Sequence, residues 1–212
     1  PRTLDETAEV APEHLLGPYP ASKRRAELAV MDAVSRGLDG VIVLPSSPVG
    51  PGDHRLTAPT KMLLDLAQAR LPAFLDCRLD LVDVRALAAG IVDALEQGAS
   101  GTRYLLTGEN LAFSEIAARV EAETGAPAPR ARAPYRLAWA AAVLESGWAR
   151  LSGRAPNAPL TGVRLAGRQV SFSHARASKA FGYAPPPASG AIRDALAWMA
   201  ETGLRPATQP QG

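Results

Sequence analysis

Extended apolar segments alternate with helical segments along the first 125 residues, and this order limits the folds that the chain can adopt. The predicted strands cover residues 40–44, 73–75, 79–82 and 103–107, and the predicted helices cover residues 19–36, 59–70, 84–97 and 113–124. Strands that alternate with helices are typical of a parallel sheet with helices packed on its faces. The sequence therefore predicts an α/β fold, with a loop over residues 45–53 at the end of the first strand.

Beyond residue 126 the pattern becomes mostly helical, with proline-rich joints at residues 126–129 and 184–187. This change predicts that the chain is divided into two parts, residues 1–125 and residues 126–212. The two parts also differ in net charge. The first part has a net charge of −6 and the second a net charge of +8. A basic lobe suits an anionic small-molecule substrate, because guanidinium groups bind phosphates bidentately.

Four arginines in the basic part are candidates for contacting such a substrate: Arg130, Arg132, Arg164 and Arg168. Arg164 and Arg168 are the pair that we select as substrate-binding residues. The alternative is an ordinary solvated surface in a chain that uses arginine in place of lysine, since it contains 20 arginines and 3 lysines. Both interpretations remain open at the level of sequence.

Tyr19 and Lys23 stand four residues apart at the start of the first predicted helix. This spacing places both side chains on one helical face, where an ammonium group can lower the pKa of a phenol. A tyrosine with its ordinary pKa of about 10 exchanges protons poorly near neutrality, and a neighbouring cation favours the phenolate. The pair therefore predicts acid–base chemistry, although a surface helix can carry the same spacing by chance.

Several ordered segments resemble the extended short-chain dehydrogenase/reductase family, the NAD-dependent epimerase/dehydratase group. The segments are residues 19–23, 44–51, 70–76, 108–111 and 159–164, and the similarity runs from about residue 5 to about residue 198. The branches that the chain resembles most are the hopanoid-associated sugar epimerases and the dihydroflavonol-reductase-like enzymes. The resemblance implies a Rossmann-type parallel sheet with helices on both faces, a mostly helical substrate-binding lobe interleaved with it, and NAD or NADP as cofactor.

The resemblance also implies roles for single residues. Tyr19 would exchange a proton with the reacting hydroxyl or carbonyl group, while Lys23 would hold the nicotinamide ribose. The backbone of Pro45, Ser46 and Ser47 would lie beside the nicotinamide. The implied reaction is hydride and proton transfer at a carbon of a sugar, which can be nucleotide-linked, or of a small ketone. A catalytically inactive relative that acts as a binding or regulatory protein is the alternative.

The glycine-rich turn with which this family binds the dinucleotide pyrophosphate is absent from the sequence. We therefore expect the chain to represent the C-terminal part of an enzyme and to be inactive by itself. The family's usual Val-His-Val-Asp-Asp segment is replaced here by Val-Asp-Val-Arg-Ala at residues 82–86. We expect Asp83 to cap the following helix rather than to act in catalysis.

The remaining features predict an ordinary intracellular protein. Cys77 is the single cysteine, so no internal disulfide forms, and the three histidines have no metal-ligand spacing. We predict no metal site, no nucleic-acid binding, a cytoplasmic location and the capacity to form a homodimer. Residues 134–151 have one apolar helical face, which fits packing on the protein's own core or, less well, peripheral contact with a membrane.

Overall fold

The computed structural model describes residues 2–9, 15, 17–136, 139–140, 143 and 170–204. The helices of this part are α1 (Pro18–Ser35), α2 (Ala58–Ala67), α3 (Val84–Gln97), α4 (Phe113–Thr124), α5 (Ala175–Phe181) and α6 (Ala188–Glu201). The strands are β1 (Arg2–Leu4), β2 (Ile42–Pro45), β3 (Ser47–Val49), β4 (Ala73–Phe74), β5 (Arg78–Asp83), β6 (Arg103–Leu106), β7 (Glu109–Ala112), β8 (Ala131–Arg132) and β9 (Val170–Phe172). The predicted α/β class is confirmed.

Most strand pairs are parallel, as the alternation of strands and helices predicts. Strand β2 pairs with β6, β3 with β5, β1 with β9 and β4 with β8, all in parallel, whereas β5 and β7 are antiparallel. The prediction of a loop over residues 45–53 is wrong in part, because residues 47–49 form β3. Val49 in this strand is 1% exposed, so burial of its side chain favours the extended backbone.

The strands separate at one place, which we call the strand fork and define as residues 46, 80, 107 and 108. Strands β2 and β6 lie side by side until Ser46 and Thr107, and β5 then enters between β3 and β7. Gly108 allows the close approach, since a Cβ atom built there would lie 2.1 Å from the carbonyl oxygen of Leu81. The fork therefore depends on a residue without a side chain at position 108.

The main hydrophobic core joins α6 to the segment from Val49 to Val120. Ile192, Leu196 and Met199 of α6 pack in one cluster with buried side chains of α2, α4 and β5. The first backbone amide of α6, that of Ala188, donates a hydrogen bond of 2.9 Å to the carboxylate of Glu109 in β7. The division at residue 125 and the mostly helical second part remain predictions. Helix α6 packs into the core of the first part, and the described residues after 126 form α5 and α6 together with the short strands β8 and β9.

Asp83 caps α3, as the sequence predicts. Its Oδ1 accepts a hydrogen bond of 2.8 Å from the backbone N–H of Arg85. The Arg85 guanidinium bonds both Asp83 and Asp194, the latter in α6. The hydrogen bond from the Arg85 side chain holds the pKa of Asp83 below its usual value, against the effect of burial. Asp83 therefore has a structural role at the junction of α3 and α6.

The outer edge of β6 is covered by side chains rather than by another strand. Glu6, which is 4% exposed, accepts a hydrogen bond of 2.9 Å from the backbone N–H of Leu105. Arg176 donates to the carbonyl oxygen of Arg103 and lies 3.6 Å from the Glu6 carboxylate. The pair satisfies backbone groups that an exposed strand edge would leave unpaired.

Tyr183 should make stability fall at alkaline pH. Burial, assisted by the charge of Asp80, raises the pKa of Tyr183 to about 12, whereas an unfolded tyrosine titrates near 10. Because the folded pKa is the higher one, this contribution is complete below about pH 10 and is lost as the pH rises to about 12. The loss of stability should amount to about 3 kcal/mol. Denaturant unfolding of the full-length protein at pH 9–12 tests this, and Tyr183→Phe should show a shallower decline; parallel profiles would contradict it.

Candidate active site

Helix α1 presents Tyr19 and Lys23 on one face, as their spacing predicts. Pro18 occupies the first helical turn, where its missing N–H is not needed, and Gly17 precedes it at φ +101°. The Lys23 ammonium lies 5.6 Å from the centroid of the Tyr19 ring. Tyr19 is 70% exposed, so its hydroxyl is accessible from solvent. The arrangement brings a phenol and a cation together on an accessible surface.

A groove of about 700 Å³ lies between α1 and β2. Tyr19, Lys23 and Pro45 all line it, and its walls are mainly apolar, from side chains that include Val30, Val41 and Val43. Two predicted catalytic residues and one predicted cofactor-binding residue thus share one concave surface. Such a groove, apolar with a few convergent polar groups, is a common form of ligand site.

Ion pairs connect α1 to the sheet at this groove. Glu27 lies 2.8 Å from the guanidinium of Arg24 and 3.0 Å from that of Arg103 in β6. Two guanidinium groups therefore share one carboxylate in the wall of the groove that the predicted catalytic pair also lines. Together with Lys23 they give the groove an excess of positive charge, which suits an anionic ligand.

Ser46 and Ser47 do not line the groove. The backbone N–H of Ser46 donates a hydrogen bond of 3.2 Å to the carbonyl oxygen of Leu106, and Ser47 is paired in β3. The Oγ atom of Ser46 is buried and has no hydrogen-bond partner among the described residues. The predicted contact of residues 45–47 with a nicotinamide therefore remains a prediction for the backbone.

The residues present fit a nicotinamide cofactor. The carboxyl ends of β2 and β6 meet beside the groove, and this edge of an α/β sheet is where dinucleotides bind. Lys23 offers an ammonium group to ribose hydroxyls, while the apolar walls suit a planar ring. The free Oγ atom of Ser46 at the same edge adds an unused polar group.

The predicted substrate-binding arginines are only partly described. Arg164 and Arg168 lie outside the described residues, as does most of the amphipathic segment 134–151. Arg130 is exposed, and Arg132 is also exposed, with its guanidinium 3.4 Å from the carboxylate of Asp76. An anionic substrate therefore stays a prediction.

The cysteine and the histidines described by the structure lie in surroundings that indicate structural roles. Cys77 is buried, and burial raises the pKa of its thiol. His54 packs edge-on against Trp198, and His174 hydrogen-bonds the Thr107 hydroxyl through Nδ1. Within the described ranges, no group of three or more histidine, cysteine or acidic side chains is placed to bind a metal ion. No helix in those ranges is long and apolar enough to cross a bilayer.

Two buried carboxylates, Glu6 and Asp80, were not predicted from the sequence. Asp80 lies in the middle of β5, whose other inner residues are apolar, so a single acid within an apolar strand was the available signal. Glu6 gave no such signal, because it follows a short strand and its partner lies 99 residues away.

Comparison with known proteins identifies the family of this Rossmann-type α/β structure. Residues 1–106 match the NAD dependent epimerase/dehydratase family. A protein of Synechocystis sp. named "Putative dihydroflavonol 4-reductase" is 32% identical over 203 residues, covering 94% of this chain and 59% of that protein. The chain thus belongs to the NAD dependent epimerase/dehydratase family, the extended short-chain dehydrogenases/reductases, and spans about three fifths of that relative's length.

Solved structures agree with this assignment. The crystal structure of gox2253 is 33% identical, with a TM-score of 0.81 over 96% of this chain and 62% of its own. RMD from Pseudomonas aeruginosa, solved in complex with NADPH, shares the fold at 18% identity, with a TM-score of 0.61 over 90% of this chain and 60% of its own. The family assignment is consistent with NAD or NADP as the cofactor.

Proposed function

We propose that the full-length protein is an NAD(P)-dependent oxidoreductase or epimerase in which Tyr19 exchanges the proton and Lys23 binds the cofactor ribose. One observation carries the proposal: Tyr19, Lys23 and Pro45 line the same groove, which runs along β2 and includes Pro45 at the carboxyl end of that strand. In an α/β sheet, that edge is the one at which nicotinamide dinucleotides bind. Family membership supports nicotinamide-dependent chemistry, and the shared groove supports Tyr19 and Lys23 as the residues that take part in it.

The bound nicotinamide supplies or accepts a hydride, and the chain's own residues do the rest. The hydroxyl of Tyr19 donates a proton to a carbonyl oxygen in reduction and accepts one from an alcohol in oxidation. The Lys23 ammonium, 5.6 Å from the ring centroid, stabilises the negative charge that forms on the phenolic oxygen. Its remaining donors are available to the ribose hydroxyls, and the backbone of residues 45–47 positions the nicotinamide.

The substrate that we propose carries an oxygen on the reacting carbon, either as a ketone or as a sugar hydroxyl. The relative named as a dihydroflavonol 4-reductase supports the ketone. The positive charge of the groove, and the arginines of residues 126–212, support an anionic substrate such as a nucleotide sugar. The resemblance to hopanoid-associated sugar epimerases supports a sugar substrate that belongs to membrane-lipid synthesis.

Lys23→Ala should weaken dinucleotide binding by the full-length protein about tenfold or more, because it removes the charged donor from the groove. Calorimetric titration with NAD⁺, NADH, NADP⁺ and NADPH measures this. Lys61→Ala is the matched control, since Lys61 pairs with Asp65 on α2 and does not line the groove. Its affinity should equal that of the wild type.

Two results would separate the alternatives. Equal affinity of Lys23→Ala and the wild type would remove Lys23 from the cofactor site. Absence of binding of every dinucleotide by the wild type would overturn the proposal and favour a family member that has lost its chemistry. Turnover is then assayed with a dihydroflavonol by the absorbance of the reduced cofactor, and with a nucleotide sugar by analysis of the sugar product, because an epimerase returns its cofactor unchanged.

A further inference from the structure

Two polar atoms without partners are buried at the same level of the sheet, in the strand fork. One is Oδ2 of Asp80, whose side chain is 5% exposed, and the other is Oγ of Ser46. Neither accepts or donates a hydrogen bond among the described residues. Ser47 of β3 is in register with Leu81 of β5, so Ser46 and Asp80 are the residues that directly precede this pair on neighbouring strands.

The other oxygen of Asp80 fixes the side chain in the fork. Oδ1 accepts a hydrogen bond of 2.7 Å from the backbone N–H of Gly108. The backbones of Gly108 and Leu81 are so close that no side chain fits between them. Asp80 of β5 is thus held against Gly108, in the segment between β6 and β7, by a short hydrogen bond and close packing.

The charge of this carboxylate is poorly compensated. In the part of the chain that the structure describes, the backbone amide of Gly108 is the one hydrogen-bond donor to Asp80 and no cation forms an ion pair with it. A buried charge that is not paired acts on its surroundings over a longer range than a charge in water. Its field reaches Tyr183, where it adds to the effect of burial in raising the pKa of that phenol.

The proposed function places a nicotinamide next to this fork, beside residues 45–47. The oxidised nicotinamide ring carries a positive charge, whereas the reduced ring is neutral. A fixed negative charge in the adjacent low-dielectric sheet therefore interacts favourably with the first form and not with the second.

We propose that Asp80 acts as an electrostatic positioning residue that makes the site bind the oxidised dinucleotide in preference to the reduced one. This inference rests on the proposed function, because it requires the nicotinamide to lie beside residues 45–47. The single backbone hydrogen bond does not explain why a carboxylate is buried here, because an asparagine could accept the same bond at a lower free-energy cost of burial. The proposed interaction with the oxidised nicotinamide gives the carboxylate a function. Because the site stabilises the oxidised form, the bound reduced form becomes the stronger hydride donor, and the bias favours reduction of a substrate carbonyl group.

The test compares dissociation constants for the oxidised and reduced forms of whichever dinucleotide the full-length wild type binds. Asp80→Asn keeps an oxygen that accepts from Gly108 and removes the charge. It should raise the ratio of the oxidised to the reduced dissociation constant about three- to tenfold. Asp80→Ser, which also removes the charge, provides the same comparison should Asp80→Asn fail to fold. Thermal unfolding of each variant accompanies the titrations.

Glu6→Gln is the matched control. Glu6 is also a buried carboxylate that accepts one backbone N–H of the β6 segment, but it lies at the outer edge of β6 and is paired with Arg176. Its substitution should change both dissociation constants by the same factor and leave their ratio unaltered.

Each outcome decides the inference. A raised ratio in the Asp80 variants with an unaltered ratio in Glu6→Gln supports it. An unchanged ratio in an Asp80 variant that still binds dinucleotide overturns it and leaves the proposed function standing, and so does an equal shift in Glu6→Gln. Failure of the wild type to bind any dinucleotide overturns both.

Discussion

Tyr19→Phe should reduce the turnover of the full-length protein by about 10² to 10⁴-fold and leave dinucleotide affinity within about twofold of the wild type. Phenylalanine keeps the ring on the face of α1 and keeps its contact with the Lys23 ammonium, but it cannot exchange a proton. The side chain is 70% exposed, so its hydroxyl contributes little to stability. At saturating probe substrate, kcat comes from the absorbance of the reduced cofactor for net oxidation or reduction and from analysis of the sugar product for epimerisation, and calorimetry gives the affinity.

Tyr135→Phe is the matched control for this prediction. Tyr135 is 44% exposed and does not line the groove of Tyr19 and Lys23. The same chemical change there should leave kcat unaltered. If Tyr19→Phe kept the wild-type kcat while binding the dinucleotide normally, another group would have to carry the proton, and Tyr19 would be only part of the cofactor site.

Local structure follows from local sequence in this chain. The predicted bounds of α3 and α4, residues 84–97 and 113–124, are those of the structure. Each helix has a strong apolar periodicity and a stop signal, Gly98 or Gly125, of which the second has positive φ. Asp83 as a helix cap and the shared face of Tyr19 and Lys23 follow in the same way, because these contacts span at most four residues.

Long-range pairing could not be predicted from one sequence. Strands β8 and β9 have two and three residues, too few for a periodic pattern, and β9 pairs with β1 across more than 160 residues. Strand β7 lies antiparallel to β5, but α3 and β6 separate the two strands along the chain, so no local turn signal marks their pairing. The hydrogen bond of Glu6 to β6 has the same origin.

The candidate site also combines residues that the sequence predicts with one residue that only the fold reveals. The family resemblance predicts Tyr19, Lys23 and the Pro45 segment, and the fold then brings these residues to one groove. Asp80, the buried acid of the strand fork, could not be predicted in this way, because its proposed role depends on a carboxylate oxygen that has no hydrogen-bond partner among the described residues. Only the pairing of β3 with β5 places Asp80 level with Ser46, and only the packing shows that one of its oxygens has no partner in the described part of the chain.

Gly108→Ala should destabilise the full-length protein by about 4 kcal/mol or prevent folding, which would be among the largest effects of a single added methyl group. The new Cβ atom would lie 2.1 Å from the carbonyl oxygen of Leu81 and 2.7 Å from the Cα atom of Val82. Both are backbone atoms of the central strand β5, so no side-chain rotation relieves the clash. Urea unfolding measures the loss.

Gly190→Ala gives the opposite expectation from the same chemical change. A Cβ atom at Gly190 meets no other atom within 4 Å, and the residue lies inside α6, where alanine is the better helix former. The free energy of unfolding of this variant should exceed that of the wild type by about 0.5 to 1 kcal/mol. If Gly108→Ala unfolded at the wild-type urea concentration, the strands could not approach as closely as the structure has them. Because the same approach lets Asp80 reach the amide of Gly108, the hydrogen bond at the centre of the fork would then be lost as well.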